Sequence, residues 1–316
     1  MAMKPIITLT LNPTIDGSAS ADVIQPLRKI RTSDEQYHPG GGGINVARVI
    51  EELGGTARAI YLAGGATGTI LDDLLRSAGI AADRIAIKGY TRIAHTVFER
   101  SSGQEFRFVP EGPEVSAEEW EKCLAALEAF DFDYVVASGS LPRGLPDTAY
   151  NRVIELADRK KARVVLDTSG PALQQALGKG VFLIKPNLRE LEELTGRALP
   201  DTAARVSAAR ALIKESAVQT VALTLGSDGA LLVSKDAAWF AEVPPVVAQS
   251  AVGAGDSFVG GVTVALAQGK SLREVLAFGV AAGTAAVLSP GAALSQSDDF
   301  NRLYSKLLPT ITKLEF

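Results

Sequence analysis

Gln249-Ser250-Ala251-Val252-Gly253-Ala254-Gly255-Asp256-Ser257-Phe258 is the stretch from which the rest of the chain can be read. Two glycines separated by one small residue close an extended run, and an acid follows at once. Beyond them, Phe258-Val259-Gly260-Gly261-Val262-Thr263-Val264-Ala265-Leu266-Ala267 is small, apolar and long enough for a buried helix. Such a loop turns sharply into a helix whose first N–H groups have no acceptor inside it. With the positive end of the helix dipole, about half a unit charge, those groups form a receptor for an anion. Glycine matters because a side chain would hold the anion off the backbone. A carboxylate at the mouth, Asp256, can take the proton of an attacking hydroxyl while the amides meet charge developing on a phosphoryl group. The competing reading makes Asp256 an ordinary helix cap.

The chain has 316 residues, 47% hydrophobic and 6% aromatic, with 30 glycines. That balance suits layered α/β structure with many tight turns. A formal charge of -4 leaves no basic footprint for nucleic acid. The single cysteine, Cys123, excludes an internal disulfide and any multi-cysteine zinc site. Its neighbours Trp120, Leu124 and Leu127 make it a packed helix residue. The first residues run straight into a strand without a charged-then-apolar leader, and no apolar stretch makes a membrane span. The expected location is the cytoplasm.

Ile6–Leu11 reads as a buried strand, with Asn12-Pro13-Thr14-Ile15-Asp16 as the turn after it. A polar section through Arg28–Arg31 and Gln36–His38 lacks helical periodicity and reads as short strands outside the main sheet. Pro39-Gly40-Gly41-Gly42-Gly43 then opens a helix at Ile44. His95–Arg100 and Gln104–Val109, joined by Ser101-Ser102-Gly103, alternate like a β-hairpin. These two segments, about 14–38 and 91–110, are assigned to a small β lid inserted in a single domain spanning 1–316. Elsewhere short apolar strands at Ala57–Ala63, Tyr134–Ala137, Arg163–Leu166, Val181–Ile184 and Thr220–Thr224 alternate with helices, the rhythm of a parallel sheet covered on both faces. A late hairpin, Ala230–Val233 and Ala237–Phe240, precedes the Gly253 loop, and the last third is mostly helix.

Open parallel sheets bind ligands beyond the carboxyl ends of their strands. Read in order, those ends carry Asp16, the Gly40–Gly43 run with Asn45, Gly64-Gly65, Ser138-Gly139-Ser140, Asp167, Lys185-Pro186-Asn187, Thr224-Leu225-Gly226 and the Gly253 loop. Singly each is turn chemistry; together they make a pocket for a hydroxylated, phosphate-rich ligand. There is no G-x-x-x-x-G-K-[ST] P-loop, and the first strand feeds no dinucleotide fingerprint.

Pro39-Gly40-Gly41-Gly42-Gly43-Ile44-Asn45-Val46-Ala47 and Val252-Gly253-Ala254-Gly255-Asp256-Ser257-Phe258 resemble the two signatures of the ribokinase-like, or pfkB, carbohydrate kinases. Ser138-Gly139-Ser140-Leu141-Pro142 and Lys185-Pro186-Asn187-Leu188-Arg189-Glu190 match further motifs of that family in the right order. The resemblance covers essentially the whole chain and points to the sugar-phosphate branch, the minor type of 6-phosphofructokinase first. It implies a three-layer Rossmann-like α/β sheet with helices on both faces and a β lid that closes on sugar and joins two subunits as a homodimer. It also implies ATP as co-substrate with Mg2+, and conversion of fructose 6-phosphate to fructose 1,6-bisphosphate in glycolysis. Kinases of fructose 1-phosphate and tagatose 6-phosphate remain alternatives.

Carried over residue by residue, the resemblance makes Asp256 the catalytic base and Gly253, Ala254 and Gly255 the anion hole. Asp16, Gly41, Gly42, Asn45 and Ser140 hold sugar hydroxyls. Lys185, Asn187, Thr224 and Gly226 serve ATP, and Asn187 and Glu190 act on magnesium through water. The stretch from Ala282 to Gly291 flanks adenine. Ser250 and Val252, with carbonyls near Ser289 and Gly291, match a monovalent-cation loop, although Ala292-Ala293 depart from the polar pair of that pattern and weaken the case for potassium.

The lid segments also carry Lys29, Arg31, Arg92 and Arg107. Converging cations suit a phosphate dianion; solvated charges on exposed strands are the alternative. Arg92 is the first choice, flanked by Lys29 and Arg31, and Arg107 serves the site or a subunit interface. Two other classes stay in view: a nucleotide-binding oxidoreductase, which lacks its loop here, and a non-catalytic sugar-binding regulator, which needs no Asp256.

Overall fold

Five consecutive buried residues, Ile6–Thr10, form β1 in the middle of the main sheet, and a strand buried on both faces needs cover on both. The computed structural model describes residues 4–289 and 294–315 and supplies that cover. After β1 come the lid strands β2 (Thr14–Ala21) and β3 (Ser33–Gly40), then α1 (Gly42–Glu52), β4 (Ala57–Ala63), α2 (Gly65–Ser77) and β5 (Ala82–Ala86). A second excursion adds β6 (Arg92–Glu99) and β7 (Gln104–Phe108) before α3 (Ala117–Ala129). The alternation resumes with β8 (Tyr134–Ser138), α4 (Ala149–Arg159), β9 (Arg163–Asp167), α5 (Gly170–Ala176) and β10 (Leu183–Ile184). Helices α6 (Leu188–Thr195) and α7 (Thr202–Ser216) lead to β11 (Thr220–Thr224), β12 (Ala230–Ser234) and β13 (Ala238–Ala241). The last third holds α8 (Ala254–Ala267), α9 (Leu272–Val287), α10 (Ser297–Leu307) and β14 (Thr312–Leu314).

The main sheet has ten strands in the order β14-β13-β12-β11-β10-β9-β8-β1-β4-β5. From β11 to β5 every neighbouring pair is parallel, and β12, β13 and β14 extend the sheet antiparallel. One face packs Ile44, Ile50, Val262 and Phe278 of α1, α8 and α9, and the other packs Leu124, Tyr150 and Leu173 of α3, α4 and α5. The result is the expected three layers. The chain runs one way from β1 to β4 and β5 and the other way through β8 and β9, so the order reverses between β1 and β8. That switch point opens the crevice in which such sheets bind ligands.

Glycine lets the helices over this crevice approach closely. A Cβ at Gly260 of α8 would lie 2.6 Å from Val49 of α1, and one at Gly261 would lie 2.5 Å from the Phe278 carbonyl of α9. The lid is a separate four-stranded sheet, β3-β2-β6-β7. Its central strands pair in parallel from Thr14 opposite Arg92 to Ala21 opposite Glu99. The buried Glu99 ties the lid tip by accepting from the Ile24 N–H and the Ser102 hydroxyl.

Three local details correct or extend the sequence reading. The turn after β1 ends at Pro13; the β-branched Thr14 and Ile15 already belong to β2, and Asp16 pairs opposite His38. The glycine run follows a strand, because polar β3 extends to Gly40. Thr312–Leu314 forms an edge strand on β13, too short and polar to show a period in sequence. Cys123 is buried as expected, and burial pushes its thiol up to about 12.

Candidate active site

Gly253 caps α8 with φ +74, in the left-handed region that glycine enters freely, and a Cβ there would collide with the Leu294 side chain. The Ser257 N–H is the first to bond back, to the Gly253 carbonyl at 2.8 Å, and Ala254 N–H makes only a 3.5 Å contact with the Ala251 carbonyl. Gly255 and Asp256 occupy the positions between, where a helix offers their N–H groups no acceptor. Gly255 is exposed. Asp256 is the third helical residue and does not cap the helix; its Oδ2 accepts from Asn45 Nδ2 at 2.8 Å.

Asn45 is placed by the glycine run. Gly41 caps α1 at φ +107, and Asn45 N–H bonds to its carbonyl at 2.9 Å. A Cβ at Gly40 would strike the Asp16 carboxylate, and one at Gly42 would strike the Ser138 hydroxyl and lie 2.9 Å from the Ser138 carbonyl carbon. Side chains at either position would fill the space between lid and floor.

Asp167, at the end of β9, accepts from Ser138 Oγ at 3.3 Å and pairs with Lys185 Nζ at 3.1 Å. The ammonium lies 3.7 Å from where a Cβ of Gly255 would stand, so it flanks the anion loop. Burial pushes Asp256 up to about 7, and the negative charge of Asp167 adds to the shift; Asn45 and Lys185 offset part of it. Burial also raises the Asp16 carboxyl, against the pull of Arg107, Arg92 and Arg48. For Lys185, burial works downward, but the charge and hydrogen bond of Asp167 outweigh it and hold the ammonium above its usual range.

Asp16, Asn45, Ser138, Asp167 and Asp256 line a cleft of about 340 Å³ at the switch point, with Lys185 behind Asp167. Every residue expected to hold sugar hydroxyls lies on it: Asp16, Gly41, Gly42, Asn45 and Ser140, with Arg92 beside them. Gly253, Asp256, Val252 and Glu190 complete the wall. A larger open hollow of about 860 Å³ lies on the far side of Arg92, but neither Asp256 nor the anion loop reaches it. The smaller cleft is where the chemistry can occur.

On the other flank, Asn187 and Glu190 cap α6 reciprocally: Asn187 N–H donates to Glu190 Oε2 at 2.8 Å, and Glu190 N–H to Asn187 Oδ1 at 2.9 Å. Asn187 bridges in parallel to Thr224, whose N–H bonds to the Pro186 carbonyl at 3.1 Å. Gly226, at φ +62, starts the short turn beyond. The Lys185–Asn187 and Thr224–Gly226 segments are thus side by side. Ser250 is buried, and its Oγ accepts from the Val252 N–H at 3.2 Å. Ala282–Val287 close α9, while Gly291, Ala292 and Ala293 lie outside the described residues.

Lys29 and Arg31 do not line the cleft of their own chain. They are exposed on the long β2–β3 connection, whose two ends are tied to the β6–β7 turn through Asp22 and Asp34 with Arg100. Arg107 does line it, because β7 turns that side chain toward Asp16. Two groups carry more of the site than their sequence context signals: Asp167, through its pair with Lys185, and Arg48, between Asp16 and Asp256. The Asn45-x-x-Arg48 spacing, which puts both on one helix face, is the signal for the second.

The sequence matches the pfkB family carbohydrate kinase profile over residues 10–299. It is 43% identical over 304 residues to ATP-dependent 6-phosphofructokinase isozyme 2 of Mycobacterium tuberculosis, covering 95% of this chain and 89% of that protein. The protein of the same name from Escherichia coli is 39% identical over 307 residues, covering 96% and 99%. The crystal structure of E. coli phosphofructokinase-2 with potassium has a TM-score of 0.93 at 38% identity, covering 97% of this chain and 100% of that one. Its complex with fructose-6-phosphate has a TM-score of 0.91 at 39% identity, covering 96% and 99%. With both signature loops, the switch-point cleft and the lid in place, the chain belongs to the pfkB family of carbohydrate kinases.

Proposed function

We propose that this kinase transfers the γ-phosphoryl group of ATP to the C1 hydroxyl of fructose 6-phosphate, giving fructose 1,6-bisphosphate and ADP. The observation that carries the reading is the juxtaposition of the Asp256 carboxylate with the acceptor-less amides of Gly255 and Asp256 at one helix start. As the new O–P bond forms and the bond to the β-phosphate breaks, the hydroxyl proton passes to Asp256. Gly253, Ala254 and Gly255 present the N–H groups that meet the moving charge, and positioning with electrostatics dominates such loose transition states. Asp16, Asn45 and Ser140 orient the sugar, with the backbone at Gly41 and Gly42 beneath it.

Lys185, Asn187, Thr224 and Gly226 are assigned to the nucleotide. Magnesium suits this site: Mg2+ typically keeps its waters and leans on one or two carboxylates plus phosphates, and Glu190 sets one carboxylate on the cleft wall. Glu190 gives one oxygen to the helix cap and keeps the other for a hydrated ion, with Asn187 beside it. When bound, the ion neutralises phosphate charge. Ser250 and Val252 are assigned to a monovalent-cation loop, a role supported by the potassium complex of the E. coli relative.

Arg92 and Arg107 supply the charge for the 6-phosphate. The lid exposes Leu27, Ile30, Tyr37, Phe98 and Phe108, an apolar set that supports pairing of two lids in a homodimer. Lys29 and Arg31, at the lid tip, stay in the substrate set through that pairing.

A coupled ADP-release assay tests the reading with fructose 6-phosphate, fructose 1-phosphate, tagatose 6-phosphate and fructose as acceptors. Fructose 6-phosphate should give the highest kcat/KM. A preference for either other phosphate reassigns the substrate, and ADP release with none of them ends the proposal.

A further inference from the structure

Arg48 is half-buried on α1, one helical turn beyond Asn45. Its Nη1 donates to the Pro39 carbonyl at 3.1 Å and to Asn45 Oδ1 at 3.3 Å. Pro39 lies in β3 just before the lid strand re-enters the main domain at Gly41, so the first bond grips the lid root. The second decides which way the Asn45 amide faces. An amide has one accepting and one donating end. With Oδ1 held by a cation, Nδ2 is the end left for Asp256, which it reaches at 2.8 Å. Turned over, the amide would set oxygen against carboxylate.

We propose that Arg48 is a positioning residue that couples the lid root to the catalytic carboxylate through the Asn45 side chain. When the lid root is seated, Arg48 holds Oδ1, Nδ2 holds Asp256 Oδ2, and Oδ1 of the aspartate stays available for the acceptor hydroxyl. When the root shifts at Pro39, the guanidinium follows and the amide loses its fixed sense. This rests on Asp256 acting as the base. Three further charged groups bear on Asp256: Asp167 from β9, Lys185 beyond β10, and Asp16 from β2. Burial works against the Arg48 charge and lowers the guanidinium from its usual range, and the nearby carboxylates of Asp16 and Asp256 offset part of that. Loss of the cation therefore moves Asp256 upward as well as loosening the amide.

The test compares kcat, both KM values and the pH–rate profile for Arg48→Met, Arg48→Lys, Asn45→Ala and the Arg48→Met/Asn45→Ala pair in the full-length enzyme. Nucleotide binding and thermal unfolding report whether each variant is folded. Arg48→Met should lower kcat by about 10–100-fold, as expected for a misplaced reacting group, with KM for ATP within about threefold. Its acid limb should move to higher pH. Arg48→Lys should recover much of the loss, because an ammonium can still donate to both oxygens. In the Asn45→Ala background, Arg48→Met should cost only a few-fold more, since residues acting through one another are not additive. A folded Arg48→Met enzyme with wild-type kcat and an unmoved limb overturns the coupling, as does full additivity with Asn45→Ala. Loss of activity in Asp256→Asn alongside either result confines the failure to Arg48; retained activity there refutes the base assignment itself.

Discussion

Lys185 Nζ and Asp167 Oδ1 stand 3.1 Å apart, nearly buried, beside the helix start that carries Asp256. One ammonium therefore bears on two carboxylates at the floor of the cleft. It pairs with Asp167, and burial, with the negative charge of Asp167 added and only partly offset by Asn45 and Lys185, keeps a proton on Asp256 until about pH 7. A base poised near the working pH combines a large ionised fraction with useful proton affinity. The proposed base is thus tuned by a pair at the ends of neighbouring strands.

The pH–rate profile should show this directly. Catalysis needs the ionised carboxylate, so kcat should rise with pH through a limb centred near 7, the value burial and Asp167 impose on Asp256. A limb centred near the ordinary aspartate value would show that burial does not hold this carboxyl up in the substrate complex, and a kcat with no acid limb at all would count against the base assignment.

Asp256→Asn should lower kcat by roughly 10²–10⁴ with a smaller effect on sugar KM. The same change should stabilise the fold. Asp256 ionises near 3.8 when unfolded and near 7 when folded, so the native state holds an extra proton between those values. Stability from this group is present below the lower value and is lost as pH rises through the upper one. The variant should therefore gain little in Tm at pH 4 and a few degrees at pH 8. Calorimetry at both pH values reads the difference.

Lys185→Met removes the cation and leaves Asp167 buried without its partner, a loss of about 3–5 kcal/mol for such pairs. It also takes away an attraction that lowers Asp256, so the acid limb should move above 7. Adding Asp167→Asn should return part of the stability and bring the limb back down. Denaturant titration and pH–rate curves on the single and double variants check both halves.

How much of this was legible follows from what each residue must do locally. The Gly253 loop and the Gly40–Gly43 run were readable because glycine leaves a mark wherever backbone meets backbone or ligand, and the structure puts both at the crevice. The lid hairpin was readable because His95–Glu99 and Gln104–Phe108 alternate. Asp16 was misplaced in a turn because Asn12-Pro13 mask the start of β2. Arg107 and Lys29 look alike in sequence; only the strand register and the long β2–β3 connection turn one toward the cleft and carry the other away. Arg48 shares a helix face with Asn45, but its bond to the Pro39 carbonyl comes from the fold and leaves no mark in the sequence.

Gly40→Ala should separate binding from folding. The three atoms nearest the new Cβ would all belong to the Asp16 carboxylate, a side-chain group that can swing aside, so the strand can persist while Asp16 leaves its place. Sugar KM should rise by about 10–100-fold, the scale expected for losing hydrogen bonds to a charged group. KM for ATP and Tm should stay near wild type. A variant that melts early, or that binds sugar normally, contradicts this account of the glycine.

The two cleft arginines should part company in the same assays. Arg92 already gives Nη2 to the Asn12 carbonyl at 2.8 Å, Nη1 to the Pro110 carbonyl at 2.9 Å and Nε to the Pro13 carbonyl at 3.4 Å. Those oxygens belong to segments entering and leaving the lid, so truncating Arg92 frees the lid roots as well as removing charge. Arg107 carries no such duty; it projects from β7 across the cleft toward Asp16. Arg107→Ala should raise KM for a phosphorylated acceptor by about 10–100-fold, the weight of one charge-assisted pair, and leave KM for ATP unchanged. Arg92→Ala should raise acceptor KM far more than KM for ATP and should also speed hydrogen exchange in β2 and β6. If Arg107→Ala weakens ATP as much as sugar phosphate, the 6-phosphate is bound elsewhere. If exchange in the lid is unchanged in Arg92→Ala, its carbonyl bonds do not hold the lid, and its place in the site is electrostatic alone.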